Sequence, residues 1–554
     1  MVAWFDPGQL LHTGARVLVS SLIGQHADRR LIEALAVPGA ERVDMRTEED
    51  GKPIDEIWID FIADAGDGWD STYSVAYSAS LPELTLKSSQ EKDCSTRRGR
   101  VLVFGGDQVY PTPSRMLYKQ KLVAPFEAAL SWTEAPHHRA FAIPGNHDWY
   151  DSLVAFTRLF CGREWLGGRE LPQTRSYFAL QLPHHWWLIG TDVQLGSDLD
   201  APQVDFFKAV ADKIEKEDRV ILCTAEPHWI YSHIYARYNA TVYNESNLQF
   251  LEKKVLGKGR EGDGLVRVFL SGDLHHYRRH ATADGRQKIT AGGGGAFLHS
   301  TLGPEVDELE GGYRLQKAFP TERESRRLSW RNLLFPWINP TFGLVTALLY
   351  LLTSWTVLSD IGGYGTGQIG RAITTALGDV LRKPSAAFWV VGLVAAFVFF
   401  TDTHSPKYRV FGGLIHGISH VAAVFLLGWS AAYYCLNIRH LHFAETKYLL
   451  ICAVFELLGG WLVGSVIMGL YLVVSLNVFR RHSNEAFSAL GIPDWKNFLR
   501  LHIDTSGNLT IYPIGIRRVG RKWRQNPTAG AQPRLLPDDP RWIGPELLED
   551  PVVL

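Results

Sequence analysis

The sequence predicts a mixed α/β region over roughly its first three hundred residues, then an α-helical membrane region of about four spans, then a small β-containing segment. Three observations carry this reading. In the N-terminal part, apolar runs of strand length end repeatedly in polar, glycine-containing turns. Between residues 342 and 479, apolar runs dominate. Beyond them, FLRLHIDTSGNLTIYPIGI places two runs rich in β-formers around Ser506-Gly507-Asn508, the pattern of a hairpin.

A chain of 554 residues exceeds what one hydrophobic core supports, so several regions are expected. Residues 1–315 read as a cytoplasmic α/β domain, 316–341 as a basic juxtamembrane linker, 342–479 as the membrane region and 480–554 as a cytoplasmic segment with a hairpin and a disordered, proline-rich tail. The formal net charge of −1, with mixed signs along the chain, gives no support for nucleic-acid binding. Five scattered cysteines without a CxxC pair argue against a disulfide scaffold or a cysteine-ligated zinc site. The N-terminal stretch lacks the pattern of a signal peptide, which predicts a first region that stays in the cytoplasm.

Four apolar segments are readable as spans: Phe342 to Leu358, Ala386 to Phe400, Phe411 to Leu436 and Tyr448 to Phe479. The last exceeds the ~20 residues that a crossing helix needs, and reads either as one long tilted helix or as one broken at Gly459 and Gly460. Arginines crowd the approach to the first span from Arg314 to Arg331, and Arg480 and Arg481 follow the last, which predicts a multi-pass membrane protein with both termini cytoplasmic. Within the spans, His416 and His420 lie four apart and Glu456 is deeply placed. Such groups are costly in lipid, and they serve either helix packing or a function.

Four strand-like runs end in residues suited to hard divalent ions. IWIDFIADAGDGWD carries Asp64, VLVFGGDQVY carries Asp107, FAIPGNHDWYD carries Asn146, His147 and Asp148, and VRVFLSGDLHHY carries Asp273 and His275. Two ions roughly 3.5–4 Å apart share a carboxylate, and Asp107 suits that bridging place. Glycines before Asp107 and Asn146 let the backbone approach closely.

GGDQ, PGNHDW and SGDLHH resemble, in order, the GD, GNH[DE] and GHxH blocks of the calcineurin-like metallophosphoesterases, over roughly residues 55–300. The resemblance implies a two-layered β-sandwich flanked by helices, here in a membrane-anchored form of bacterial type, and hydrolysis of a phosphomonoester or phosphodiester by a hydroxide bridging two metal ions. It makes Asp64 and His275 ligands of the first metal, Asp107 the bridge, Asn146 a ligand of the second and His147 the catalytic histidine. It also makes Asp148 the carboxylate that orients the His147 ring. The sequence departs from the family where the opening D-x-H block reads Asp64-Ala65-Gly66 and where Asp273 replaces the first histidine of GHxH. In ILCTAEPHWIY, either Glu226 or His228 fills a further ligand slot. An oxygen-rich set of this kind predicts two divalent ions, manganese first, with magnesium or ferrous iron as alternatives. Arg278 and Arg279 are placed to clamp a substrate phosphate, and the AGGGGAFLH run to bring backbone near the site. The expected partners are a phosphorylated small molecule or lipid, and the membrane. A non-catalytic phospho-ligand sensor or scaffold, and a transport protein with a regulatory head, are the rival readings.

Overall fold

The computed structural model of the protein describes residues 1–23, 43–48, 50–88, 92–132, 138–193, 199–236, 243–257, 265–303, 306–358, 367–401, 405–528, 530–539 and 543–554. The N-terminal region and the C-terminal segment are built on two nine-stranded sheets. Their main strands are β1 (Ile57–Ile62), β2 (Val101–Gly105), β3 (His138–Ile143), β4 (Phe178–Leu182), β5 (Trp186–Gly190), β6 (Arg219–Cys223), β7 (Val266–Ser271), β8 (Tyr277–Ala281), β9 (Gln287–Ala291), β10 (Tyr313–Phe319), β11 (Lys496–Ile503) and β12 (Leu509–Ile516). One sheet runs β4-β5-β6-β7-β9-β8-β10 with short edge strands, and the other runs β12-β11-β1-β2-β3 with short edge strands.

β1, β2 and β3 are parallel neighbours, as are β5, β6, β7 and β9. Parallel strands covered on both faces read as near-continuous apolar runs, which is what VLVFG and VILC are. Alternation still sorts their side chains. Ile57, Ile59, Phe61, Val101 and Val103 join an apolar cluster shared with Leu180, Leu188, Ile221, Val268 and Ile289 of the other sheet. Ile62, Leu102 and Phe104 point the opposite way, under helices.

The C-terminal hairpin is an integral part of this core. β11 pairs antiparallel with β1, Leu501 opposite Ile59, and with β12 on its other side. Asp60, the one charge in β1, is matched by Arg500 of β11 at 2.7 Å, both buried. The proline-rich tail, expected to be disordered, instead supplies Pro545–Leu547 and Val552–Val553 as strands paired to β12, and Leu535–Pro537 paired to Trp523–Gln525.

The helix α2 (His228–Ala236) packs on the sheet after β6; the other helices are α1 (Pro7–Ile23) at the N-terminus, the apolar α3 (Phe342–Leu358), the amphipathic α4 (Ile369–Arg382), and the apolar α5 (Pro384–Phe400), α6 (Pro406–Ile438) and α7 (Thr446–Phe479), followed by α8 (Ser483–Ser488). α6 with 33 residues and α7 with 34 are long and apolar enough to cross a membrane. α3 and α5 have 17 residues each, about 26 Å of helix. Each adjoins a bent partner, Glu322–Ile338 meeting α3 at 65° and α4 meeting α5 at 99°, so the helices amount to two to four spans. α4 was not foreseen, and α7 is one helix rather than a broken one. It passes Gly460 through a widened turn, Gly460–Gly464, where a Cβ on Gly460 would meet Ala347 and Tyr350 of α3.

Candidate functional site

The predicted ligands follow the carboxyl ends of strands from both sheets: Asp64 after β1, Asp107 after β2, Asn146 and His147 after β3, Glu226 after β6, Asp273 and His275 after β7. Carboxyl ends of parallel strands are where side chains and free backbone amides converge. The turns are cross-linked. The Asp64 amide donates to the Gly106 carbonyl at 3.0 Å, the Asp273 amide to Asp64 Oδ2 at 2.8 Å, and the His147 amide to Asp107 Oδ1 at 2.9 Å. Asp64, Asp107 and Asp273 all hold left-handed backbone, with φ of 57°, 48° and 68°. Non-glycine residues keep that conformation only where surrounding bonds over-determine it, and such positions gather at functional sites. Two close approaches exclude a side chain: a Cβ on Gly145 would collide with the Asp107 carboxylate, and one on Gly292, in the AGGGGAFLH run, with that of Asp64.

At the centre stands a residue not singled out in the sequence, Tyr110. Its hydroxyl lies 2.9 Å from Asp64 Oδ1, 3.0 Å from Asp107 Oδ2 and 2.9 Å from His275 Nε2. A phenol has one proton to give and here faces two carboxylates and an imidazole, a donor set that a cation would satisfy together with the phenolate. Burial, then the neighbouring carboxylates, hold the Asp64 acid and the Tyr110 phenol well above their ordinary ranges, and burial with Asp273 pushes Asp107 up to about 7. Burial lowers His275 well below the usual imidazole range. Acids that resist ionising beside an imidazole that resists protonation make a site short of positive charge. Asn146 adds a buried Oδ1 with no hydrogen-bond donor. The residues therefore fit bound metal ions in chemistry and in unmet bonding.

A cavity of about 410 Å³ opens on this centre, lined by Asp107, Tyr110, Asn146, His147, Asp273 and His275 among others. Arg278 also lines it, buried and donating to the Thr301 carbonyl at 2.8 Å, with Nε unpartnered. Arg279, the other expected phosphate clamp, points the opposite way along β8 and pairs with Glu549 at 2.6 Å, because successive strand residues face opposite sides. Asp148 does not orient the His147 ring. His147 Nδ1 bonds the Pro111 carbonyl at 2.7 Å, whereas Asp148 is buried beneath the turn, accepting from the Gly145 amide at 2.9 Å, the Gln108 amide at 3.1 Å and the Tyr118 hydroxyl. Of the alternatives after β6, His228 is fully buried between Thr224 Oγ1, at 2.9 Å, and Glu226 Oε2, at 3.5 Å, and neither Glu226 nor His228 lines the cavity.

Besides Tyr110, sequence reasoning missed Tyr231 of α2, which bonds Asp273, and His299, whose ring stacks 3.9 Å from His275. It also missed Lys496 of β11, buried beside the site with Nζ on the Ala296 carbonyl, where burial lowers its ammonium to about 8. Tyr110 had a readable signal, since three residues after Asp107 puts both on one turn. Lys496 had none. Among the described residues, the one group of three His, Cys, Asp or Glu side chains whose ligand atoms all lie within 4.8 Å of one another is His185, Glu215 and Asp218, at the opposite ends of β5 and β6. There Asp218 already accepts from the Trp187 indole at 2.8 Å and the Glu215 amide at 2.8 Å.

No protein family model and no curated protein matches the sequence. Among solved structures, GAP50, the anchor in the inner membrane complex of Plasmodium, is similar over 47% of this chain and 76% of its own, at 14% identity and a TM-score of 0.32. PhoD is similar over 48% of this chain and 62% of its own, at 10% identity and a TM-score of 0.28. This chain thus spans less than two thirds of PhoD.

Proposed function

We propose that the protein is a metal-dependent hydrolase of phosphate esters, anchored in a membrane by its apolar helices, with the two sheets forming a metallophosphoesterase β-sandwich. The observation that carries this is the convergence of Asp64, Asp107, Asn146, Asp273 and His275 from four strand ends around the Tyr110 hydroxyl, which lies within 3.0 Å of three of them. Asp64, Asp107, Tyr110, Asn146, Asp273 and His275 are the residues that would hold two divalent ions. Such ions supply charge stabilisation at the phosphoryl oxygens and an activated water. Manganese suits the oxygen-rich donors best, with magnesium or ferrous iron as alternatives.

The chain's own residues account for the remaining work. His147 donates Nδ1–H to the Pro111 carbonyl, which leaves Nε2 as the nitrogen that exchanges a proton at the cavity. Burial depresses the ring to about 4, while its bond to the Pro111 carbonyl and then Asp273 oppose that, and an entering phosphate anion would further favour protonation at Nε2. The ring then returns that proton to the departing oxygen. Arg278, already oriented by Thr301, presents its guanidinium to the anion.

The test uses the purified full chain, stripped with chelator and refilled with Mn²⁺, Mg²⁺ or Zn²⁺, against aryl phosphomonoesters and phosphodiesters. Metal-dependent release, greatest with Mn²⁺ and abolished with reduced metal content in Asp107→Asn, is the expected result. Full activity in Asp107→Asn would remove the two-metal assignment.

A further inference from the structure

The cavity is bounded on one side by the helix that leaves the membrane. Ser483, Asn484 and Ser488 line it, all from α8, which begins just beyond the end of α7 at Phe479. Asn484 hydrogen-bonds His299, the ring stacked on His275. The loop carrying His299 is itself seated on the membrane region, because Leu298 and Leu302 are buried in one cluster with Met468, Leu472 and Leu476 of α7. Asn332 Nδ2 donates to the Ala486 carbonyl at 3.0 Å, and Asn477 Nδ2 to Ser329 Oγ at 2.8 Å, fastening the juxtamembrane segment to α7 and α8. The candidate site is therefore held against the end of a span.

Two further features concern what lies at that junction. Trp330, Leu333, Leu334 and Trp337 are exposed, Trp337 at 65%, beside exposed Arg326, Arg327 and Arg331. Aromatic and aliphatic side chains mixed with arginine are stable at the headgroup level of a bilayer, where apolar parts enter lipid and guanidinium groups meet phosphate. Inside the cavity, Ile230, Ile234, Leu274, Phe297 and Val306 form an apolar wall beside the acidic centre, with Phe297 against the His275 ring. A small hydrophilic phosphate ester would leave that wall wet, whereas an ester bearing hydrocarbon would cover it.

We propose that the substrate is a phosphate ester of a membrane lipid, whose headgroup enters the cavity while its chains extend along the apolar wall toward the leaflet around α7. The inference rests on the phosphoesterase reading above. In the reaction, water adds oxygen to phosphorus, the P–O bond to the lipid alcohol or headgroup alcohol breaks, and that alcohol leaves with a proton.

The experiment follows phosphate or headgroup release by the full chain in mixed micelles. Dioleoyl phosphatidate is compared with glycerol 3-phosphate, and dioleoyl phosphatidylglycerol with glycerophosphoglycerol, with para-nitrophenyl phosphate and its bis ester as chain-free references. The expected result is a kcat/KM roughly 100-fold higher for at least one dioleoyl ester than for its water-soluble counterpart. Ile234→Gln, which makes the wall polar, is expected to reduce the dioleoyl rate about tenfold more than the aryl rate. Metal-dependent hydrolysis of the aryl esters with no preference for dioleoyl over soluble substrates overturns the lipid assignment and leaves the phosphoesterase reading standing. Absence of hydrolysis of every ester, with metal bound, overturns both.

Discussion

His147 and Asp148 are sequence neighbours with separable tasks, since one ring lines the cavity and the other side chain holds three donors beneath it. His147→Ala is expected to lower turnover by roughly 10²–10⁴-fold with little change in unfolding temperature, the range for a positioned proton-transfer group. Asp148→Ala strands two backbone amides and a phenol, which costs about 3 kcal/mol of stability, and calorimetry on both variants separates these outcomes. A different histidine makes the protein acid-sensitive. His280, buried with Nε2 2.7 Å from the Val306 carbonyl, is lowered by burial to about 4. The unfolded chain takes up this proton near pH 6.5, the folded one only near pH 4, so stability falls as pH drops through that window. This one group is expected to cost about 2 kcal/mol on going from about pH 7.5 to about pH 5. His280→Gln removes that increment, so the gap in melting temperature between the parent protein and the variant narrows at the lower pH.

At the scale of elements, β11 joins parts of the chain separated by the whole membrane region. Arg500 neutralises Asp60 across the β11–β1 pairing and also donates to Thr96 Oγ1 at 3.2 Å and the Ala79 carbonyl at 2.9 Å. Removing the cation leaves a carboxylate buried without its partner, and Arg500→Met is expected to destabilise by about 3–5 kcal/mol. The double variant with Asp60→Asn, which takes away the stranded charge, regains part of that loss in thermal unfolding. Lys496, on the same strand, enters the site only because this pairing forms.

For the whole molecule, the pairing of β11 with β1 constrains how the chain threads a bilayer. Strands before α3 and after α7 share one hydrogen-bonded sheet, so in the membrane-anchored reading proposed above both flanks would lie on one side and the number of crossings would be even. Single cysteines introduced at exposed positions near each end are expected to react with an impermeant thiol reagent from the same face only. Labelling from opposite faces would be incompatible with β11 occupying its place in the sheet.

Local information was enough to place Asp64, Asp107, Asn146 and Asp273 at the ends of strands, because a strand followed by a glycine-containing turn is written within a few neighbouring residues. The apolar helices were equally legible, since the length and hydropathy needed to cross lipid are properties of one continuous segment. Which way a side chain faces was not. Arg279 and Asp148 sit beside residues that line the cavity and point away from it, a matter of strand alternation and turn geometry. The C-terminal strands read as a separate hairpin because nothing local marks β11 as a partner of β1, more than four hundred residues earlier. Burial of Asp60 and Arg500 against each other requires the β11–β1 pairing and the covering segments that carry Thr96 and Ala79. Tertiary structure alone brought His299 and Lys496 to the acidic centre and closed Tyr110 onto Asp64 and His275, through contacts whose energy depends on a low-dielectric interior that no single segment possesses.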